Sequence, residues 1–157
     1  MAAKTRPGER GPRELPAATV ELLAAVPLFA GCSKRQLKQV ASLAKVRRVG
    51  AGAMLAVAGA PGSASFAVLV EGSADVVRGG KVVGTFGPGD FFGEIGVIDG
   101  GRRTASVVAT SNVVAIHLSR AAFRRVIEEE PGVAWPVMEA LVARLRRAAA
   151  EAGWPSD

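Results

Sequence analysis

Cysteine and histidine are scarce in this 157-residue sequence: Cys32 and His117 are each the only residue of their kind. A single cysteine cannot form a disulfide within the chain, which is typical of a protein of the reducing cytoplasm. A single histidine cannot supply the two or three imidazoles that a metal site on a β fold usually needs. In addition, no partner base stands at a recognisable spacing from a nucleophilic cysteine or serine. We therefore expect a cytoplasmic, non-catalytic protein without a metal or cofactor.

Long apolar runs are also missing. Residues 1–16 lack the apolar block of a signal peptide, and no window reaches the length of a membrane span. Their prolines and their lack of apolar side chains predict a flexible N-terminal arm. One folded domain over residues 17–152 and a short tail over 153–157 should follow, since the chain is too short for two comfortable domains.

The formal net charge of +6 invites comparison with nucleic-acid binders. The basic residues are nevertheless scattered or terminal, with local groups such as those at 102–103, 124–125 and 144–147. Net charge informs solubility and the attraction of anions more than it informs function. We do not expect DNA binding, and we keep a nucleic-acid binder that uses the basic arm and the last helix as an alternative.

The hydrophobic pattern changes twice along the chain. A short helix is predicted after Thr19, and Ser33 with Gln36 has the form of a capping box ahead of a second helix. Over residues 46–118 glycine-rich turns cut the chain into about eight short apolar runs, with a hairpin signal at residues 78–81. This pattern predicts a mainly β domain with flanking helices, folded as an eight-stranded antiparallel jelly-roll barrel.

Two further helices are predicted after the strands. Ser119 has the side chain of an N-cap for the first, which should end near Pro131 and act as a hinge. Pro136 then fits the first turn of the last helix, and we expect the arginines of residues 144–147 in its final turns, where the helix dipole favours cations. An apolar stripe runs along this helix, and such a stripe forms core or a dimer seam more often than a lid. The stripe comprises Met138, Leu141, Val142, Leu145 and Ala148.

The stretch over residues 89–107 sets an acid and an arginine among glycines. Glu94 precedes Arg103 by nine residues. Gly93 and Gly96 let the backbone come close to a ligand, and a short helical turn there points free N–H groups at a negative charge. Arg103 can fork onto the anion while Glu94 binds neutral hydroxyls. The residues alone predict a small anion pocket.

The same stretch resembles the phosphate-binding cassette of cyclic nucleotide-binding domains. In that family a Phe-Gly-Glu run is followed by an arginine nine residues after the glutamate, then by a small residue and a short Ala-Ser/Thr-Val run. Residues 92–96, read FGEIG, and residues 103–107, read RTASV, satisfy this pattern without a gap. The Glu-Gly turn at 71–72 and the VPLF opening at 26–29 match as well. The resemblance covers roughly residues 20–150, and the cassette looks most like those of cyclic nucleotide-regulated ion channels.

The resemblance implies separate binding residues for the phosphate and for the sugar. Arg103 would pair with the cyclic phosphate, helped by the backbone amides of Ile95 and Gly96. Glu94 would bind the ribose 2′-hydroxyl, and Thr104 would add a hydroxyl at the phosphate or the base. The implied ligand site comprises Gly93, Glu94, Ile95, Gly96, Arg103, Thr104 and Ala105.

The resemblance also implies a base pocket that the last helix covers as a lid. Its members would be Val76, Gly84, Phe86, Arg144, Leu145 and Arg147. Gly84 departs from the pattern because it offers no side chain to the base. Residues 58–60, read AGA, stand where the family often has an acidic Glu-Gly-Asp turn, in a loop away from the ligand.

The function implied is that of a non-catalytic sensor for a 3′,5′-cyclic nucleotide. We favour cAMP over cGMP, although Thr104 permits the contact associated with cGMP. The signal would leave through the last helix to an unknown effector protein or to a second copy of the chain. With no helix-turn-helix after the last helix and no membrane span before the domain, we expect neither a transcription factor nor a channel. The alternatives are an interaction module with a silent pocket and the nucleic-acid binder; a cupin-type metal enzyme lacks the histidines it needs.

Overall fold

The structure, a computed structural model, describes residues 16–60 and 65–153. The predicted arm over residues 1–16 lies outside these ranges except for Pro16, which begins the first helix. Of the predicted tail, only Gly153 is described. The division into arm, domain and tail therefore stays a prediction.

Two short helices precede the strands. They are α1 (Pro16–Ala24) and α2 (Lys34–Leu43), with a 3₁₀ turn at Pro27–Phe29 between them. Helix α1 begins three residues before Thr19. The predicted capping box of α2 is confirmed, because Ser33 Oγ accepts from the Gln36 amide at 3.1 Å and Gln36 Oε1 accepts from the Ser33 amide at 2.8 Å.

Within the described ranges eight strands follow, and they form two four-stranded antiparallel sheets with the orders β1-β8-β3-β6 and β2-β7-β4-β5. This alternation of the chain between two sheets confirms the predicted jelly roll. The predicted hairpin at residues 78–81 joins β4 to β5 through Gly79 and Gly80, whose φ angles of 58° and 76° suit a tight turn. The strands are β1 (Lys45–Val49), β2 (Met54–Ala56), β3 (Ser65–Glu71), β4 (Ala74–Arg78), β5 (Lys81–Phe86), β6 (Phe91–Phe92), β7 (Ser106–Ala109) and β8 (Val113–Ser119).

Two apolar cores lie on either side of the β1-β8-β3-β6 sheet. Side chains alternate along β3, so that Ala67 and Leu69 pack between the sheets while Phe66 and Val68 pack against the helices. On the helical side, the ring centroids of Phe66 and Phe123 are 5.1 Å apart. Both faces of β3 are covered, which explains why its sequence is apolar almost throughout.

The helices that follow the strands are α4 (Arg120–Glu129) and α5 (Pro131–Glu151), and a short helix α3 (Glu94–Asp99) lies between β6 and β7. The predicted cap of α4 is confirmed, since Ser119 Oγ accepts from the Ala122 amide at 3.1 Å. The placement of Pro136 in the first turn of the last helix was wrong. Pro131 already opens α5, at a position where proline loses no helical hydrogen bond, and Pro136 lies inside the helix.

The first turns of α5 are fixed to the rest of the molecule. Glu130 is only 5% exposed, and its two carboxylate oxygens accept from Arg35 of α2 at 2.9 and 3.3 Å. Val133 and Val137 then pack into the helical core. Of the helices that the structure describes, none is long and apolar enough to cross a membrane.

The second half of α5 departs from the prediction. Of the stripe, Leu141 packs half-buried against the helical core, whereas Met138, Val142 and Leu145 are 47%, 50% and 68% exposed. A seam with another chain stays a prediction. The arginines at 144–147 also lie earlier than expected, since α5 continues to Glu151 and its last turn carries no basic residue.

Candidate functional site

A cavity of about 220 Å³ opens beside the loop that joins β6 to β7. Inner-core side chains from both sheets meet charged side chains there, and α5 contributes one arginine. Of the residues that the structure describes, four arginines and a single carboxylate line the cavity, so it attracts anions. The lining residues are Ala56, Val76, Arg78, Phe86, Phe92, Gly93, Glu94, Gly96, Arg102, Arg103, Thr104, Ala105, Val107 and Arg144.

Gly93 turns the chain from β6 into α3 at the edge of this cavity. Its φ of 85° lies in the left-handed region, and a Cβ at this position would lie 2.0 Å from the Ser65 carbonyl oxygen. Only glycine satisfies both conditions. The turn brings Glu94 to the first position of α3, whose opening backbone N–H groups have no acceptor within the helix.

Arg103 is held on the opposite side of the loop by the start of β3. Its Nη2 donates to the Ser65 carbonyl oxygen at 3.2 Å and to Ser65 Oγ at 3.1 Å. Its guanidinium carbon lies 6.0 Å from the centroid of the Phe92 ring. Burial lowers the pKa of the Arg103 guanidinium, and the nearby Glu94 carboxylate partly offsets this effect. The arginine remains charged and is partly stripped of water.

Glu94 is paired with an arginine of the last helix. Arg144 Nη1 donates to Glu94 Oε1 at 2.7 Å, and the two side chains are 27% and 9% exposed. Arg144 also donates to the Phe91 carbonyl oxygen, and its guanidinium carbon lies 3.9 Å from the centroid of the Phe91 ring and 5.8 Å from that of Phe86. These contacts bring α5 to the edge of the cavity.

Most residues that the sequence assigned to a site meet at this cavity. Those that line it are Gly93, Glu94, Gly96, Arg103, Thr104, Ala105, Val76, Phe86 and Arg144. Ile95 lies in the first turn of α3, and Gly84 lies on the exposed strand β5 opposite Val76. Leu145 and Arg147 are exposed on α5 and do not line the cavity.

Two arginines of the lining, Arg78 and Arg102, were not predicted from the sequence. Arg78 Nε donates to the Thr104 carbonyl oxygen at 3.3 Å, and Arg102 Nη1 donates to the Gly59 carbonyl oxygen at 3.0 Å. Strand alternation gave a signal for Arg78, because it lies two residues after Val76 and so shares its face. Arg102 lies in an irregular loop, where no periodicity indicates which way its side chain points.

Over residues 16–60 and 65–153, no three histidine, cysteine, aspartate or glutamate side chains come together as a metal site. His117 instead lies on β8 with its ring edge-on to Phe92, the two ring centroids being 6.5 Å apart.

Comparison with known proteins points to one family. The family model described as "Cyclic nucleotide-binding domain" matches residues 46–130. A cyclic nucleotide-gated potassium channel from Mesorhizobium japonicum is 38% identical over 73% of this chain. A cAMP-dependent protein kinase regulatory subunit from Colletotrichum orbiculare is 33% identical over 72% of it. The matches span 31% and 29% of those two proteins.

A solved structure shows the same architecture. The catabolite activator protein of Thermus thermophilus superposes with a TM-score of 0.73 and 29% sequence identity. The match covers 81% of this chain and 62% of that one.

Proposed function

The chain belongs to the cyclic nucleotide-binding domain family, and we propose that it is a non-catalytic sensor that binds a 3′,5′-cyclic nucleotide in the 220 Å³ cavity. The observation that carries this proposal is the meeting of Arg103 and Glu94 in the lining of one cavity. A cyclic nucleotide needs a cation for its phosphate and an acceptor for its sugar hydroxyl. These two side chains, nine residues apart in one loop, supply both.

The phosphate is assigned to Arg103 and to the amides of Ile95 and Gly96. A monoanion that enters the cavity loses water, and a guanidinium that is itself partly desolvated compensates for that loss. Arg103 already donates to Ser65 through Nη2. Its side chain is thereby fixed before a ligand arrives, which reduces the entropy lost on binding.

The base is assigned to the wall formed by Val76, Phe86 and Thr104. Phe86 stacks on Phe92 with an interplanar angle of 9° and centroids 5.6 Å apart, so a flat aromatic surface is available there. We favour cAMP over cGMP at this wall. Gly84 is exposed and adds only backbone to its border.

The lid is assigned to α5, with Arg144 as its contact with the ligand. Arg144 now pairs with the carboxylate that the ribose hydroxyl needs. A bound nucleotide therefore competes with Arg144 for the Glu94 carboxylate. Its base gives the Arg144 guanidinium a new contact in place of the ion pair. A ligand shifts such an equilibrium only by its differential affinity for the two arrangements. Leu145 and Arg147 reach a ligand only if α5 moves further.

The signal leaves through the exposed face of α5, and we propose a second copy of the chain as its partner. The exposed side chains Trp135, Met138, Val142 and Leu145 repeat at alternating spacings of three and four residues, which is the seam of a coiled coil. Glu139 and Arg146 follow two seam positions, and their opposite charges can pair between antiparallel copies. A separate effector protein is the alternative partner of this face, and the location we propose is cytoplasmic.

Titration calorimetry with cAMP and cGMP tests the proposed function against its alternatives. A sensor binds at least one nucleotide saturably, with one molecule per chain. An interaction module with a silent pocket gives no binding heat with either nucleotide. A nucleic-acid binder instead binds duplex DNA with an affinity that falls steeply as salt rises.

A further inference from the structure

Arg103 borders a second cavity as well as the one described above. This cavity has a volume of about 320 Å³, and among the described residues its polar lining consists of Arg47, Ser65, Arg103 and His117. Space on both sides gives a long, flexible arginine side chain more than one place to lie. The contacts that hold the Arg103 side chain toward the first cavity therefore affect how well it can bind a phosphate there.

A chain of hydrogen bonds runs from Arg103 into the strands. Arg103 Nη2 lies 3.1 Å from Ser65 Oγ, and Ser65 Oγ lies 3.3 Å from His117 Nδ1. A guanidinium only donates, so Ser65 Oγ accepts from it. A hydroxyl that accepts from a cation becomes a better donor, which favours donation of the serine proton to His117 Nδ1. His117 Nε2 then carries the ring proton.

The surroundings of His117 keep its imidazole neutral. Burial, followed by the charges of Arg47 on β1 and Arg103, lowers the pKa of His117 to about 4. Lys45, its register partner on β1, adds a further positive charge nearby. His117 Nε2 is buried, and the described residues offer it no hydrogen-bond partner. A neutral ring can accept the serine proton, whereas a protonated ring cannot.

We infer that Ser65 and His117 are positioning residues for nucleotide binding: neutral His117 accepts from Ser65, and Ser65 holds the Arg103 guanidinium beside the phosphate position. This inference rests on the proposed function. Ser65 opens β3 and His117 belongs to β8, and the two strands are paired, with Ser65 opposite Ser119 and His117 opposite Ala67. The support is therefore built on two central strands rather than on the loop that carries Arg103.

The hydrogen-bond chain can be tested in the ligand-free protein. His117 is the only histidine, so nitrogen-15 NMR of the uniformly labelled chain reports its ring alone. We expect the tautomer with hydrogen on Nε2 and a neutral ring down to about pH 5. The tautomer with hydrogen on Nδ1, or a titration midpoint near the ordinary 6.5, would overturn the inference without touching the proposed function.

The effect on binding is tested by a double-mutant cycle between Ser65 and Arg103. Ser65→Ala should weaken nucleotide binding about tenfold, and Ser65→Thr, which keeps the hydroxyl, should restore most of it. In an Arg103→Lys background, which lacks the forked guanidinium, Ser65→Ala should cost less than twofold. Ser42→Ala on the exposed face of α2 is the matched control and should leave affinity unchanged.

The variants at His117 separate positioning from packing. His117→Asn keeps a short acceptor near the position of Nδ1, whereas His117→Leu fills similar space without one. We expect the leucine variant to lose about as much affinity as Ser65→Ala and the asparagine variant to lose less. Equal losses of affinity in the two His117 variants would contradict the inference, and so would a Ser65→Ala loss that is as large in the Arg103→Lys background as in the wild type. Either result would mean that the two residues only support the fold. Absence of any nucleotide binding by the wild type would instead defeat the proposed function.

Discussion

Arg144 of α5 and Glu94 of α3 form an ion pair of 2.7 Å in the lining of the cavity, although fifty positions separate them in sequence. Both side chains are largely shielded from solvent. The proposed function assigns the same carboxylate to the nucleotide sugar. The proposed function therefore couples the occupancy of the cavity to the position of the last helix through Glu94.

Removing the arginine of this pair should loosen the last helix. Arg144→Ala leaves the Glu94 carboxylate buried without its partner, and we expect the free energy of unfolding to fall by about 1–3 kcal/mol. Arg144 is partly exposed, which places the effect below that of a fully buried pair. Urea unfolding measures the loss, and hydrogen exchange should accelerate over residues 140–151. Arg147→Ala, an exposed arginine one turn later, is the control, and equal behaviour of the two variants would contradict the coupling.

A matched pair of ligands separates the role of Glu94 in binding the sugar from its pairing with Arg144. Glu94→Ala should weaken the binding of a cyclic nucleotide by about 1–3 kcal/mol. A 2′-deoxy cyclic nucleotide lacks the hydroxyl assigned to this residue, so the wild type should bind it more weakly by a similar amount. The alanine variant, which has no acceptor for that hydroxyl, should then discriminate little between the two ligands. Calorimetry of the four combinations measures this, and undiminished discrimination by the variant would place the sugar elsewhere.

The turn at Gly93 should be intolerant of a side chain. Gly93→Ala forces a Cβ to within 2.0 Å of the Ser65 carbonyl oxygen and keeps alanine at a φ of 85°. We expect destabilisation by more than about 1 kcal/mol, measured by urea unfolding. Gly84→Ala is the control, because its Cβ meets no atom within 4 Å and its φ is not positive. Comparable stability of both variants would show that the turn can relax at little cost.

The buried histidine should make stability depend on pH. The pKa of His117 is lowered to about 4 in the folded state, from 6.5 when the chain is unfolded. Between these values the unfolded state binds more protons, so the free energy of unfolding falls as the pH drops from about 6.5 to about 4. The loss attributable to His117 is about 3 kcal/mol at most. His117→Leu should flatten that part of the profile, and an unchanged slope would mean that carboxylates account for it.

Local signals in the sequence predicted much of this fold. The serine caps at Ser33 and Ser119 and the glycine hairpin at residues 78–81 are confirmed because each depends on neighbours within four positions. The cassette around Glu94 and Arg103 was recognisable for the same reason, since its residues lie close together along the chain. The strand pattern then sufficed to predict a jelly roll.

Relationships between distant residues were not predictable in the same way. Whether Arg144 reaches Glu94 depends on where α5 begins and how far it extends. The start of α5 was predicted wrongly because Pro131 and Pro136 both fit a first turn. The contact between Ser65 and Arg103 joins a strand to a loop across 38 positions, and neither residue carries a pattern that reveals it. Such contacts follow from sheet pairing and packing, which local periodicity does not encode.

Calorimetric titration of cAMP and cGMP into the wild type, Arg103→Ala and Arg124→Ala measures directly whether this cavity binds a cyclic nucleotide through Arg103. Arg124 is an exposed arginine of α4 paired only with Glu128 among the described residues, and its variant should bind like the wild type. Arg103→Ala should lose about 3–5 kcal/mol, or roughly two to four decades of affinity, because it leaves the phosphate without its charged partner. Equal affinity of Arg103→Ala and the wild type, with both variants folded, would contradict the site.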